Sequence, residues 1–240
     1  MALIKNRKIP GRGMGMKLEV RDIRKHYGRK KVLEGISLTA EPGQCTGIAG
    51  ANGCGKSTLL RILAGVERPD GGCILIDGKE IKKPGMAAEC MGFVPQESIL
   101  MPELSVADNL KLWAGVGDYK ENQKRLGELC GRFQITSFYR ERVRNLSGGM
   151  CKRVNIVCAL LHNPSVLLMD EPSASLDLVF KEELKGYIRD FTGNGGSVLL
   201  CSHDEGELAL CRSLWVINGG KAVLVPSGMP TDEVVNKYMR

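Results

Sequence analysis

The sequence predicts an α/β fold: a mostly parallel sheet covered by helices, with an antiparallel β portion ahead of it and a helical insertion within it. Three observations lead there. First, Gly47-Ile-Ala49, Val166-Leu-Leu-Met169 and Val198-Leu-Leu-Cys201 are apolar at consecutive positions, as strands buried on both faces are. Second, each run leads into a turn and then a helical pattern; after the middle one, Phe180, Leu184, Tyr187, Ile188 and Phe191 recur at helical spacing. Strand–loop–helix units in series imply a parallel sheet, and such sheets bind ligands at the carboxyl ends of their strands. Third, the segment from about 97 to 150 holds no strand of this kind.

The remaining elements follow in chain order. A basic tail is expected over residues 1–16. Lys17-Leu-Glu-Val20 and Ile36-Ser-Leu38 alternate like half-buried strands. Ile74-Leu-Ile76 runs into Asp77-Gly78, a hairpin signal. Within the insertion, Ser105-Val-Ala-Asp108 reads as a capping box ahead of a helix through Leu110 and Leu112, and Gln123 to Phe133 reads as a second helix. The end closes with Trp215-Val-Ile217, an Asn218-Gly219 turn, Ala222-Val-Leu224 and a helix from about Thr231. One domain is therefore expected over 17–230, with its insertion at about 97–150 and a C-terminal helix over 231–240.

Composition removes several function classes. With 43% hydrophobic and 25% charged residues, the chain reads as globular. No stretch approaches the roughly 18 uninterrupted apolar residues of a membrane span, and Met1 to Lys17 lacks the apolar run of a secretory signal. A cytosolic protein is expected, with any membrane role exerted through a partner. The nine cysteines are odd in number and form no paired C-x-x-C spacing, which favours reduced thiols over a disulfide framework or zinc site. The net charge of +7 is concentrated: residues 1–32 carry +9 and the remainder −2. A basic tail on a near-neutral body is not the one-faced basic stripe of a duplex binder, so no nucleic-acid partner is expected.

Gly50-Ala-Asn52-Gly53-Cys54-Gly55-Lys56-Ser57 matches G-x-x-x-x-G-K-[ST] in full, between an expected strand and an expected helix beginning at Thr58. Its glycines let backbone N–H groups approach phosphate oxygens, Lys56 supplies a point charge to the β- and γ-phosphates, and Ser57 offers its hydroxyl to Mg²⁺. This is a nucleotide phosphate site, and by itself it does not choose among kinases, GTPases and transport ATPases. Val166-Leu-Leu-Met169 then ends in Asp170-Glu171. Asp170 is placed to hold Mg²⁺ through its water shell, and Glu171 to accept a proton from water attacking the γ-phosphate.

Leu146-Ser147-Gly148-Gly149, about twenty residues before Asp170, could alone be a simple helix cap. Between a phosphate loop and an Asp-Glu strand it resembles the signature motif of ABC ATPases, the nucleotide-binding subunits of ABC transporters. The resemblance spans residues 17 to 224. It implies a P-loop NTPase with a RecA-like sheet, an N-terminal antiparallel β subdomain and an inserted helical subdomain. It further implies that Tyr27 stacks on adenine, that Gln96 links Mg²⁺ and the attacking water to the helical subdomain, that Ser175-Leu-Asp177 crosses a dimer interface, and that His203 contacts the γ-phosphate. In the family a second protomer, itself or a homologous subunit, brings Ser147, Gly148 and Gly149 onto the γ-phosphate in a head-to-tail dimer. ATP and Mg²⁺ are then the ligands, a transmembrane permease the partner, and the inner face of the membrane the place of work. Residues 97–115 are the expected docking surface for the permease.

Two departures bear on subtype. Met150 follows the signature where the family usually has Gln, and with Cys151-Lys-Arg-Val154 this is similar to exporter-type (ABC-2) subunits. Cys54 stands inside the phosphate loop, beside Lys56 and a helix N-terminus, and is expected to be shielded by bound nucleotide. Two other functions stay open: a soluble ABC ATPase such as an iron–sulfur cluster assembly subunit, and an ATP-gated clamp without hydrolysis. The copurifying partner discriminates the first; the presence of both Glu171 and His203 argues against the second.

Overall fold

The computed structural model describes residues 15–114, 119–226, 228–229 and 231–239. Most of the basic tail therefore lies outside the described residues.

The chain opens with an antiparallel sheet. β1 (Leu18–Tyr27) pairs with β2 (Lys30–Ala40) on one side and β4 (Gly71–Ile76) on the other, and β4 turns into β5 (Lys79–Glu80). The alternation that predicted it is physical: Leu18, Val20 and Ile23 are buried while Arg21 and Asp22 face solvent. At the β4–β5 turn, Asp77 and Gly78 have φ of 47° and 73°, the left-handed pair that a two-residue hairpin needs.

The second sheet has six strands in the order β10-β9-β3-β8-β7-β6. β3 (Cys45–Ala49), β6 (Met91–Val94), β7 (Val166–Asp170), β8 (Ser197–Cys201) and β9 (Ser213–Asn218) are parallel, and β10 (Lys221–Val225) returns antiparallel on the edge. Every residue of β3, β7 and β8 is buried, and the cores show why the apolar runs are continuous. Leu167, Met169, Val198 and Leu200 enter one hydrophobic cluster, which also holds the helical insertion. Val166, Leu168, Leu199, Cys201 and Ile48 enter the other, against the antiparallel sheet. Truncating one of these central leucines to alanine would cost about 2–5 kcal/mol.

The helices are α1 (Lys56–Leu63), α2 (Pro84–Cys90), α3 (Val106–Ala114), α4 (Tyr119–Arg132), α5 (Gly148–Leu160), α6 (Leu178–Gly193), the short α7 (Glu205–Leu208) and α8 (Thr231–Val234), which continues as one wider turn through Met239. Ser105 caps α3: its hydroxyl accepts the Asp108 N–H at 3.1 Å and donates to the Asp108 carboxylate at 2.6 Å. Leu110 is fully buried there, whereas Leu112, two residues on and across the helix, is exposed. α2 and β6 have no counterpart in the sequence pattern. β6 is only four residues with a glycine in it, and α2 carries Pro84-Gly85 at its start.

Candidate functional site

β3 ends at Ala49, and the chain curls through Gly50–Gly55 into α1. Gly50, Gly53 and Gly55 have φ of 148°, 77° and 112°, a region closed to most side chains. Space makes the same demand at two of them. A Cβ on Gly50 would sit 2.5 Å from the Ile217 carbonyl oxygen, and one on Gly55 would sit 2.7 Å from Leu33 Cδ2. The loop closes around its own lysine: Lys56 Nζ donates to the Gly50 carbonyl at 2.7 Å and to that of Ala51 at 3.2 Å. Asn52 and Gly53 are exposed, Cys54 and Ser57 half-buried, and Thr58 buried. An inward-turned loop on a helix N-terminus is an anion cradle already formed before any anion arrives.

The acids stand beside it. Across the parallel sheet, Ile48 of β3 and Asp170 of β7 both register with Cys201 of β8, so the loop after β3 and the acids after β7 flank one strand end. The Cys201 thiol reports that convergence. Burial, aided by Asp170, pushes it well above the usual thiol range, with Lys56 opposing. Asp170 is 3% exposed. Glu171 leaves the strand at φ 47°, a conformation that costs a non-glycine residue about 1–3 kcal/mol and persists only where its surroundings impose it. Here its N–H donates to the Cys201 carbonyl at 2.9 Å. The Glu171 Oε1 atom is buried, accepts no hydrogen bond, and lies 3.4 Å from His203 Nε2.

His203 is exposed, but its loop is fixed from below. Ser202 donates its hydroxyl to Glu207 and accepts the Asp204 N–H at 2.9 Å. Asp204 caps α7 and pairs with Lys181 at 3.0 Å, and that lysine holds its carboxyl below the usual range. Burial instead pushes the Glu207 carboxyl up, against the bond from Ser202.

Among the described residues, three expected site groups make no hydrogen bond or ion pair to this cluster. Tyr27, at the end of β1, is half-exposed and donates its hydroxyl to Glu67 at 2.5 Å, with the Lys25 ammonium 5.5 Å from the ring centre. Gln96 follows β6 and is exposed. Ser147 caps α5 by accepting the Met150 N–H at 3.2 Å, and Ser147 and Gly148 face solvent. Gly149 packs so closely on the loop after β7 that a Cβ there would lie 2.8 Å from the Ser175 carbonyl oxygen. Among the described residues, no hydrogen bond or ion pair joins Ser147–Gly149 to the phosphate loop.

Sequence reasoning missed three residues that organise these loops. Arg153 donates to Asp177 at 3.0 Å and stacks on Phe180, tying α5 to the loop after β7. Lys152 is buried and donates to the Pro95 and Gln96 carbonyls, both at 3.0 Å. Glu207 is the third. For Lys152 and Arg153 the available signal was their place just ahead of Val154 to Leu161, a stretch apolar apart from Asn155; Glu207 carried no such signal.

Comparison with known proteins shows the family and the fold. A family model described as ABC transporter matches residues 33–174. A linearmycin resistance ATP-binding protein of Bacillus subtilis is 32% identical over 219 residues, covering 90% of this chain and 70% of its own length. A Nod factor export ATP-binding protein of Cupriavidus metallidurans is 34% identical, covering 86% and 69%. A sulfate/thiosulfate import ATP-binding protein of Neisseria meningitidis is 33% identical, covering 86% and 60%. Among solved structures, an ATP-binding subunit of an ABC transporter superposes with a TM-score of 0.79 at 27% identity, covering 92% of each chain. A dimeric bacterial ABC transporter cassette shares the fold with a TM-score of 0.78 at 24% identity, covering 88% and 99%.

Proposed function

We propose, from the premise that this chain belongs to the ABC transporter family and is an ATP-binding, ATP-hydrolysing transporter subunit, that two such subunits close head to tail over ATP and thereby drive export through a separate transmembrane permease. The observation that carries the proposal is the division of the site. Lys56, Asp170, Glu171 and His203 gather at one end of the parallel sheet, while the exposed Ser147 and Gly148 share no bond with the phosphate loop. One protomer covers one side of a triphosphate. The Ser147 hydroxyl and the N-terminus of α5 from a second protomer, or from a homologous subunit, supply donors to the other side. The dimeric cassette among the structural neighbours supports such a pairing.

Within the site, Lys56 holds the β- and γ-phosphates and the N–H groups of the loop, including those of Asn52, Gly53, Cys54 and Gly55, surround them. Tyr27 stacks on adenine. Glu171 offers Oε1, which accepts no hydrogen bond, to the attacking water, and Gln96 and His203 orient that water and the γ-phosphate. Ser57 and Asp170 fit Mg²⁺: both are hard oxygen donors, and among the described residues no group of three or more His, Cys, Asp or Glu forms a closed metal cage. Magnesium accepts such partial sets because it keeps waters and takes phosphate oxygens. When bound it neutralises charge on the β- and γ-phosphates.

Among the described residues, no helix is long and apolar enough to cross a membrane. We place the work at the membrane in the permease, with this subunit peripheral at the inner face, as the family membership implies. Ile99, Met101, Leu112 and Trp113 are exposed apolar side chains in the segment 97–115, and chemical cross-links to a copurified membrane partner are expected there. Cross-links confined to β9 and β10 would contradict the docking assignment. Export is favoured by Met150 after the signature, the relatives including both export and import subunits; substrate accumulation inside rather than loss from inverted vesicles decides the direction. Cys54 provides a local test of the cradle. MgATP is expected to slow its alkylation by about 10-fold or more, as the triphosphate covers the loop. Equal labelling with and without MgATP speaks against the cradle.

A further inference from the structure

Lys152 is the least expected charge in the molecule. It lies on α5, five residues after the signature serine, and is 6% exposed. Burial pushes its ammonium below the usual lysine range, against the attraction of Asp170, Glu171 and Glu207. A buried ammonium is costly unless its donors are used, and here they reach past the side chains to backbone. Nζ donates to the carbonyls of Pro95 and Gln96, 57 and 56 residues earlier, each at 3.0 Å. One helical turn on, Asn155, 2% exposed, accepts the Ile99 N–H at 3.3 Å and donates to Ser98 Oγ at 3.1 Å. Positions 152 and 155 share a helix face, so one face of α5 grips the whole segment 95–99.

We propose that Lys152 is a positioning residue for hydrolysis: with Asn155 it fastens the Gln96 segment to the helix whose N-terminus carries Ser147, so that the Gln96 side chain and the signature move as one body. The inference rests on the role assigned above to Gln96. The carbonyl acceptors explain why a cation stands at 152. Two backbone oxygens of consecutive residues are met by one atom with more than one donor at the end of a long stem, which the lysine ammonium provides and a hydroxyl does not. The consequence is geometric. Without the clasp Gln96 is displaced from the attacking water, and a misplacement of about 1 Å costs about 100-fold in rate.

The test is a double-mutant cycle in the full chain, reading kcat and the KM for ATP of Lys152→Met, Gln96→Ala and the pair. Lys152→Met is expected to lower kcat by about 10- to 100-fold with KM for ATP nearly unchanged, because the cradle is untouched. In the Gln96→Ala background the same substitution is expected to add less than about a 2-fold loss. Lys152→Arg, which keeps donors and charge, is expected to recover much of the rate. If Lys152→Met does not fold, Asn155→Ala takes its place in the cycle with the same expected non-additivity. Losses from 152 and 96 that multiply independently overturn the proposal while leaving the role of Gln96 intact. Gln96→Ala with normal turnover would instead overturn the Gln96 assignment itself. Unchanged kcat in Lys152→Met overturns the proposal outright.

Discussion

Glu171→Gln is expected to lower steady-state ATP turnover by about 10²–10⁴-fold, the usual contribution of a positioned general base, while MgATP still binds. Oε1 is a buried acceptor with no hydrogen bond, carried on a residue held at φ 47°. An amide in that place keeps the shape and accepts no proton. ATP is then bound without being consumed, so the dimer that it holds together persists. MgATP should raise the melting temperature of Glu171→Gln more than that of the parent chain, because ligand binding to the folded state stabilises by mass action. Turnover in the variant close to the parental rate contradicts the base assignment.

Lys56→Ala is expected to weaken MgATP binding by about 10- to 100-fold, the value of one charge-assisted hydrogen bond set, and to abolish measurable hydrolysis. The buried ammonium now bonds the carbonyls of Gly50 and Ala51, so its removal also loosens the curl of the loop. Lys56→Arg separates these effects. It keeps the charge, but a planar fork does not replace a compact ammonium inside a loop where Gly55 already lies against Leu33. Both variants should remain folded by circular dichroism, since the neighbouring helix packs through Leu59, Leu60, Ile62 and Leu63. A Lys56→Ala protein that binds and hydrolyses ATP normally cannot be reconciled with the cradle.

Much of this architecture is legible because the information is local. The runs 47–49, 166–169 and 198–201 read as two-faced strands, and the structure divides alternate residues of the latter two between two cores. The phosphate loop is legible for the same reason: its glycines, lysine and serine are contiguous, and their φ values and close contacts are the cause of the motif. What was not legible is carried by backbone atoms or by distant pairs. Lys152 reaches carbonyls, which every residue has, 56 and 57 positions away. Arg153 finds Asp177 across 24 residues, and Glu207 is a partner only because the 202–204 loop folds over it. Short elements failed for a simpler reason: β6 has four residues, too few for a period to declare itself. Leu112, an apolar residue of the expected helix, is turned toward solvent.

In the proposed dimer each hydrolytic site is shared between two chains, and subunit mixing measures that sharing. In the Glu171→Gln background, Lys56→Ala destroys one half of a site and Ser147→Arg the other. Neither double variant alone should retain MgATP through gel filtration. Mixed, the intact signature of the first chain closes over the intact phosphate loop of the second, and the account predicts about one retained nucleotide per pair of chains. A mixture that retains no more than its two components do separately would contradict the shared site.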